Sequence, residues 1–155
     1  MKAIFALIIL LCAPVLAQAA PHEDVGSRLE AVAMVKRVQT MFDKDGPEKT
    51  FNAISDKTVG EFHDRDLYPF VYTFDGTCVA HGARPALIGK NLIDLKDQDG
   101  KYLIREMAER SQAGDGWISY KWPNPLTNKI EDKASYFVKL GEHYFVGVGV
   151  YGASQ

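Results

Sequence analysis

The sequence has little cysteine and no excess of basic residues, and each shortage excludes a class of protein. Its 155 residues contain two cysteines, Cys12 and Cys78, too few for the disulfide frameworks that stabilise many small secreted proteins. The 18 basic and 20 acidic residues leave a net charge of −2, which argues against a nucleic-acid binder. With 46% hydrophobic residues, the chain is suited to one domain with a packed core.

Motifs for nucleophilic, nucleotide-binding and zinc chemistry are also missing. There is no G-x-S-x-G elbow, phosphate-binding Walker loop, H-E-x-x-H pair or C-x-x-C-H. Cys78 and His81 are three residues apart on a predicted strand, so their side chains should point to opposite faces. That spacing argues against a nucleophilic cysteine–histidine pair. We therefore expect no catalytic residue and no cofactor.

Two acidic stretches have the residue types of a metal site but not the spacing. Asp97, Asp99 and Glu106 fit positions 3, 5 and 12 of an EF-hand loop, but Leu95 stands at position 1, where an aspartate is needed. We interpret this stretch as a solvated acidic turn ahead of a helix. A second stretch lacks the ligand spacing of known metal sites: His63, Asp64 and Asp66. No metal site is predicted.

The one long hydrophobic run lies at the N-terminus, over residues 3–16. Lys2 precedes it and the small residues Ala17 and Ala19 follow, a pattern typical of a secretory signal peptide over residues 1–19. The run is short for a bilayer span, although an uncleaved N-terminal anchor is the alternative. Removal of residues 1–19 leaves 17 basic against 20 acidic residues and Cys78 as the one cysteine. We expect a soluble periplasmic or secreted protein without a membrane span.

Hydrophobic spacing predicts helices first and strands later. Ser27 and Glu30 form a capping box ahead of a helix at 28–42, and Pro47 suits the first turn of a second helix at 47–55. A third helix is predicted at 102–113, with Gly114 as its end. Alternating patterns predict strands at 68–74, 77–82, 117–122, 134–140 and 144–151, with a polar turn at 129–133. This order indicates one α+β domain over residues 28–151 with an antiparallel sheet.

The first two strands should form a hairpin with a defined register. The Asp-Gly pair at 75–76 predicts a two-residue loop. Such a loop pairs Tyr72 with Val79 and Phe70 with His81. The register places His81 on the same strand face as the aromatic rings.

Aromatic and polar side chains share strand faces in the second half of the chain. Tyr120 and Trp122 lie on one face of a strand, and Lys133 begins the next. Gly147 and Gly149 leave one face of the last strand open to the close approach of a ligand or a packed helix. Aromatic walls with a lysine and tyrosine hydroxyls suit a small organic anion, because they exclude water and fix a carboxylate.

Several short motifs then occur in the order and spacing of a known family. They are D-L-Y-P-F-V-Y at 66–72 with D-G at 75–76, H-G at 81–82, L-I-G-K-N at 87–91, D-Q-D-G-K at 97–101, G-W-I-S-Y-K-W-P-N-P at 116–125, K-A-S-Y at 133–136 and G-V-G-V-Y at 147–151. Together they resemble the single Cache domain, type 2, from about residue 32 to residue 151.

The resemblance implies a PAS-like Cache fold, in which a long N-terminal helix packs on a curved antiparallel sheet of about five strands. Members of the family are extracytoplasmic sensors whose ligands are commonly acetate, propionate, lactate or pyruvate. By position in the family, the candidate ligand-binding residues are Tyr68, His81, Tyr120, Trp122 and Lys133. Tyr136 has the wrong parity to share a face with Lys133.

The residues and the resemblance together predict a binding module for a short carboxylate that acts without catalysis. No signalling module follows Tyr151, so we expect output through a membrane receptor or kinase. The alternative is a ligand-independent protein that docks on or modulates a membrane sensor, or forms a homodimer through its N-terminal helix. That alternative predicts exposed Met34 and Met41 on the helix at 28–42.

Overall fold

A long helix covers one face of a five-stranded sheet and a short helix covers the other. The computed structural model describes residues 25–152, so the predicted signal peptide at 1–19 lies outside the described residues. The elements are α1 (Arg28–Ser55), β1 (Pro69–Thr73), β2 (Cys78–His81), α2 (Leu103–Ala113), β3 (Gly116–Pro123), β4 (Ile130–Leu140) and β5 (Tyr144–Tyr151), with short 3₁₀ turns at Gly60–Phe62 and Pro85–Leu87. The strands form an antiparallel sheet in the order β2-β1-β5-β4-β3. The predicted α+β class and the PAS-like arrangement are confirmed.

Helix α1 begins at a capping box, as predicted. The Ser27 hydroxyl accepts a hydrogen bond from the Glu30 amide, and the Glu30 carboxylate accepts one from the Ser27 amide. The two predicted helices meet at Gly46, which has φ 80° and ψ 174° and breaks the helical path. The first helix therefore continues beyond its predicted end at 42, and Pro47 opens the second segment. Among residues 25–152, no helix has the length and apolar character that a bilayer span requires.

The buried face of α1 includes the two methionines that the docking alternative predicted to be exposed. Met34 is fully buried, and Met41 is half-buried against the same core, so neither is an exposed contact residue. Leu29 is instead 84% exposed, although it follows the helical spacing of the apolar positions. The core between α1 and the sheet also contains Ala31, Val35, Val38, Val146, Val148 and Val150. Aliphatic side chains thus make up most of this layer, together with the buried Phe62 and the half-buried Tyr136 and Tyr144.

Strand β4 begins earlier than its composition suggests. Residues 129–133 are predicted as a polar turn, but Ile130 already pairs with Pro123 and the ladder continues through Lys133. The turn lies instead at 124–129, where the Asn124 amide donates to the Lys129 carbonyl over 2.8 Å. Lys133 therefore lies within a paired strand, opposite Tyr120 on one side and Tyr151 on the other.

The hairpin between β1 and β2 has a three-residue loop, not the predicted two-residue loop. The Thr73 amide donates to the Thr77 carbonyl, and the Gly76 amide donates back to the Thr73 carbonyl, each over 2.9 Å. Gly76 has φ 92°, a conformation that favours glycine at the end of such a loop. The loop alone would shift the whole register by one residue.

A bulge at Val79 restores that register. Tyr72 pairs with Cys78 and not with Val79 as predicted, whereas the predicted pairing of Phe70 with His81 is confirmed. The extra residue reverses the alternation of side chains along β2. Cys78 consequently packs among the aromatic residues on the face that also carries His81. The prediction that these two side chains point to opposite faces was wrong for this reason.

Gly147 and Gly149 of β5 accommodate side chains from neighbouring strands. A Cβ atom at Gly147 would overlap the ring of Phe70, and one at Gly149 would overlap Lys133 Cε and Ser135 Oγ. The glycine positions on this face of β5 are therefore filled by side chains of β1 and β4. They leave no open space there and contact no helix backbone.

This packing predicts that alanine destabilises the protein at Gly147 but not at Gly60. We expect Gly147→Ala to lower the free energy of unfolding by about 1–3 kcal/mol, because the methyl group would overlap a buried ring. Gly60→Ala is the matched control, since a Cβ at Gly60 meets no atom within 4 Å. Urea unfolding of both variants checks the prediction. Equal stabilities would show that β5 moves to admit the methyl group.

Candidate functional site

The inner face of the sheet and helix α2 enclose a narrow pocket with a cavity volume of about 10 Å³. Strands β1 to β4 supply aromatic and polar groups, and α2 closes the pocket with apolar ones. The lining residues are Phe70, Tyr72, His81, Leu103, Ile104, Met107, Tyr120, Trp122 and Lys133. Four of the five predicted site residues are therefore brought together here, and Tyr68 joins them through contacts with two of them.

Lys133 places a buried ammonium group at this pocket. Its residue is 1% exposed, and its Nζ atom donates a hydrogen bond to the Tyr68 hydroxyl over 2.8 Å. Nζ also lies 4.0 Å from the ring centroid of Tyr68, 4.7 Å from that of Tyr151 and 5.7 Å from that of Phe70. Within the described part of the chain, no carboxylate approaches Nζ to within ion-pair distance.

The surroundings of Lys133 oppose its charge. Burial lowers its pKa well below the usual value, and the Asp66 carboxylate only partly offsets this effect. Asp66 is itself fully buried; its Oδ1 accepts the Gly26 amide over 2.7 Å, and its Oδ2 has no partner within residues 25–152. An anion that entered the pocket would provide the negative partner that the Lys133 ammonium lacks among residues 25–152.

Hydrogen bonds run in one direction from Lys133 to the backbone. Tyr151 donates its hydroxyl hydrogen to the Pro123 carbonyl over 2.9 Å. Tyr151 must then accept from the Tyr68 hydroxyl, 2.8 Å away, which leaves the Tyr68 oxygen to accept from Lys133. Burial raises the pKa of Tyr68 to about 12, so this hydroxyl stays protonated at neutral pH.

His81 is held as a neutral hydrogen-bond donor. Its Nδ1 accepts the backbone amide of Arg84 over 3.0 Å, which leaves the single ring proton on Nε2. Its ring stacks on Tyr68 with centroids 5.3 Å apart. Burial first, and then the charges of Lys133 and Arg84, lower the pKa of His81 to about 3.

Tyr120 and Trp122 form one wall of the pocket. The Tyr120 hydroxyl is buried within 2.8 Å of Ser135 Oγ, and burial raises the pKa of this tyrosine. The rings of Tyr120 and Trp122 meet edge to face with centroids 6.2 Å apart. Tyr136 packs on the α1 side of the sheet, which confirms the parity argument that separated it from Lys133.

The remaining reactive groups have structural partners. Burial raises the pKa of Cys78 to about 11, and its thiol faces the Ala80 carbonyl at 3.7 Å, so a thiolate is disfavoured at neutral pH. In the acidic stretch, Asp97 accepts backbone amides from Asp99, Lys101 and Lys121, and so fastens this loop to β3. Residues 25–152 contain no group of three or more potential metal ligands close enough to hold an ion.

A family model decides the assignment of this fold. The Cache domain model matches residues 23–154. The chain belongs to the Cache domain family. Cache domains are sensory ligand-binding domains, and the resemblance found in the sequence is thereby confirmed.

Curated relatives of this Cache domain include a bacterial sensor histidine kinase and a bacterial chemotaxis protein. It is 37% identical over 117 residues to the sensor histidine kinase MctS of Rhizobium johnstonii, which covers 74% of this chain and 25% of the kinase. It is 30% identical over 93 residues to the methyl-accepting chemotaxis protein McpP of Pseudomonas putida, covering 57% of this chain and 17% of that protein. The chain thus spans a quarter or less of the length of these relatives.

Solved structures share the architecture of this Cache domain. A methyl-accepting chemotaxis protein from Vibrio parahaemolyticus is 29% identical, with a TM-score of 0.65 over 80% of this chain and 87% of that one. A Cache chemosensory domain described for carboxylic acid recognition is 21% identical, with a TM-score of 0.63 over 81% of this chain and 88% of that one. At that identity the second likeness shows the fold alone.

Sequence reasoning missed several residues of the Cache pocket. Tyr151 was predicted only as the end of the strand at 144–151, and its role depends on the Pro123 carbonyl at the end of β3. Leu103, Ile104 and Met107 lie in the helix predicted at 102–113, but their closure of the pocket was not predicted. No local pattern marks either role, because each depends on which elements meet in the fold.

The neutral state of His81 predicts a pH dependence of stability. Between pH 6.5 and about 3 the unfolded state binds a proton at this ring and the native state does not, so stability falls as pH falls. We expect about 2 kcal/mol more loss between pH 7 and pH 5 in the unmodified protein than in His81→Asn. Asparagine keeps an acceptor for the Arg84 amide. Urea unfolding at both pH values measures the difference.

His143→Asn is the control for that experiment, because His143 is exposed in the turn between β4 and β5. This variant should follow the unmodified protein at both pH values. A pH-dependent loss that is equal in His81→Asn and His143→Asn would contradict the assignment of the effect to His81.

Proposed function

We propose that this Cache domain is the exported, periplasmic ligand-binding part of a sensory system, and that its ligand is a short monocarboxylate. Acetate, propionate, lactate and pyruvate represent the class. The Lys133 ammonium binds the carboxylate beside the Tyr68 hydroxyl, His81 donates a further hydrogen bond through Nε2, and Tyr120 and Trp122 form the wall. The domain acts by binding, without catalysis.

The observation that carries the proposal is a buried ammonium without an anionic partner among residues 25–152. Burial of an unpaired charge is unfavourable, and a carboxylate removes this penalty through a charge-assisted hydrogen bond. A neutral ligand gains no such interaction. Charge therefore favours an anion over a sugar or an uncharged amide.

The dimensions and the donor set favour a small ligand. The cavity volume of about 10 Å³ is close to the space of one water molecule, so only a small ligand fits, and the side chains around it must shift to admit it. Ile104 and Met107 close it on the α2 side and offer contacts to a short alkyl group. The recognition of carboxylic acids by a structurally similar Cache domain supports the same class of ligand.

The relatives support a signalling context. A sensor histidine kinase and a chemotaxis protein contain regions similar to this chain, and another structural neighbour is a periplasmic sensor domain of a chemotaxis protein. We propose that ligand occupancy is read by a membrane receptor or kinase. A homodimer through the N-terminal helix stays a prediction, and exposed Leu29 adds an apolar contact to such an interface.

Thermal stability in the presence of the four acids tests the ligand class. A ligand at one hundred times its dissociation constant should raise the free energy of unfolding by about 2.7 kcal/mol. We expect Lys133→Met to stay folded, because methionine retains much of the side-chain length and removes a buried charge, and to lose this response. Differential scanning fluorimetry with each acid provides the measurement.

Lys139→Met is the matched control, because Lys139 lies on the same strand but is exposed beside Glu142. This variant should respond as the unmodified protein does. The proposal fails if none of the four acids stabilises the domain, or if Lys133→Met and Lys139→Met respond alike.

Carboxylate binding should also be linked to proton uptake. Burial lowers the pKa of Lys133 in the free protein, and a bound carboxylate raises it again, so the complex holds more protons at a pH above the free-state pKa. Isothermal titration calorimetry at pH 8 in phosphate and in Tris should show net proton uptake. Proton release, or heats that do not depend on the buffer, would contradict this coupling.

A further inference from the structure

The pocket is closed to solvent at the point where its charge lies. Lys133, His81 and Tyr68 are 1%, 2% and 3% exposed, and α2 covers the apolar side. Side chains leave little free space around the ammonium group. A ligand can reach Lys133 only if one of these walls moves.

A second cleft lies on the other side of one wall. Its volume is about 160 Å³, and its lining residues are Lys57, His63, Arg65, Leu67, Tyr68, Gly82, Ala83 and Pro125. Tyr68 is common to both sites, because its ring lies 4.0 Å from Lys133 Nζ and stacks on His81 of the inner pocket. A single aromatic side chain thus separates the cleft from the buried ammonium.

The charge of this cleft is of one sign. Its lining includes the cationic side chains of Lys57 and Arg65 and no acidic one. Arg65 is paired with Glu30 and Asp64, whereas Lys57 has no carboxylate within ion-pair distance in the described part of the chain. Both ring nitrogens of His63 face carbonyl oxygens, at 3.3 Å from Val59 and 3.0 Å from Gly82.

Arg84 adds a further positive charge beside Ala83. It is exposed, and it too has no ion-pair partner among residues 25–152. Its charge acts on Tyr68, His81 and Lys133. A cleft of one sign with low-dielectric walls concentrates ions of the opposite sign and speeds their association.

We propose that the cleft between Gly82 and Pro125 is an anion-collecting entry site, and that Tyr68 is the gate through which a carboxylate passes to Lys133. The backbone at Gly82 packs directly against Tyr68, because a Cβ at this position would lie 2.9 Å from Tyr68 Cβ. Glycine thus allows the cleft to approach the Tyr68 side chain closely. The inference rests on the proposed function, because it assigns the route to the same inner site.

Association and dissociation rates test the route. Acetate, propionate, lactate and pyruvate are each mixed with the domain in a stopped-flow instrument, with tryptophan fluorescence as the readout because Trp122 lines the inner pocket. Ala83→Phe fills the mouth of the cleft without touching Lys133. It should slow association and dissociation several-fold each and leave the dissociation constant nearly unchanged. Ala86→Phe, at an exposed neighbouring position outside the cleft lining, should change neither rate.

Charge variants test the collecting role separately. Lys57→Gln and Arg84→Gln should each lower the association rate and weaken its dependence on salt, with little change in the dissociation rate. Lys139→Gln, an exposed charge outside the cleft, should leave both rates unchanged. Melting temperatures verify that all variants are folded.

The outcomes separate this inference from the function on which it rests. If none of the four acids binds the unmodified domain, the proposed function fails and the entry route falls with it. If an acid binds and Ala83→Phe leaves both rates unchanged, or raises the dissociation rate alone, the ligand enters elsewhere and this inference is overturned. The carboxylate-binding function would then stand.

Discussion

The burial of one ammonium group governs the chemistry of the sheet's inner face. Removing Lys133 Nζ from water is unfavourable, and the protein compensates with the Tyr68 hydroxyl and three aromatic rings and not with a carboxylate at ion-pair distance within residues 25–152. These partners stabilise a cation more weakly than a carboxylate would. The inner face is therefore complementary to an anion before any anion arrives.

The layered fold allows this arrangement to persist. The face of the sheet that packs on α1 is mainly aliphatic, with Val146, Val148 and Val150 contributed by β5 alone. Stability from this layer does not depend on the polar groups of the opposite face. The same strand provides Gly147 and Gly149 to the inner face, where the missing side chains leave room for Phe70 and Lys133. The alternation of β5 thus places stabilising valines on one face and, on the other, glycines that leave room for the pocket side chains.

The sequence predicted the large features of this fold because they follow from periodicity. Alternation along β4 was enough to separate Lys133 from Tyr136, and the capping box located the start of α1. The register of His81 was predicted correctly although the assumed loop was too short, because the bulge at Val79 compensates for the extra loop residue. The bulge has no signature in the local pattern, and the faces assigned to Cys78 and His81 were wrong as a result.

Composition was misleading where polar residues form strand pairs. The charged residues at the start of β4 resemble a turn, yet Lys121 and Asp132 face each other across β3 and β4 with Nζ and Oδ1 2.8 Å apart. The roles of Tyr68 and Tyr151 could be recognised only from the fold, because their hydroxyls connect Lys133 of β4 to the Pro123 carbonyl at the end of β3. Local propensity does not encode contacts between segments so far apart in the chain.

A ligand changes the state of a sensor only through contacts that differ between the free and bound forms. In the proposed complex, the carboxylate and the Tyr68 hydroxyl share the donors of Lys133, so binding alters the first hydrogen bond of the relay to Tyr151 and Pro123. Tyr151 is the last residue of β5, and Tyr68 directly precedes β1, the strand paired with β5. Ligand binding therefore first changes the hydrogen bonds at the ends of β1 and β5. This change requires no rearrangement of the core between α1 and the sheet.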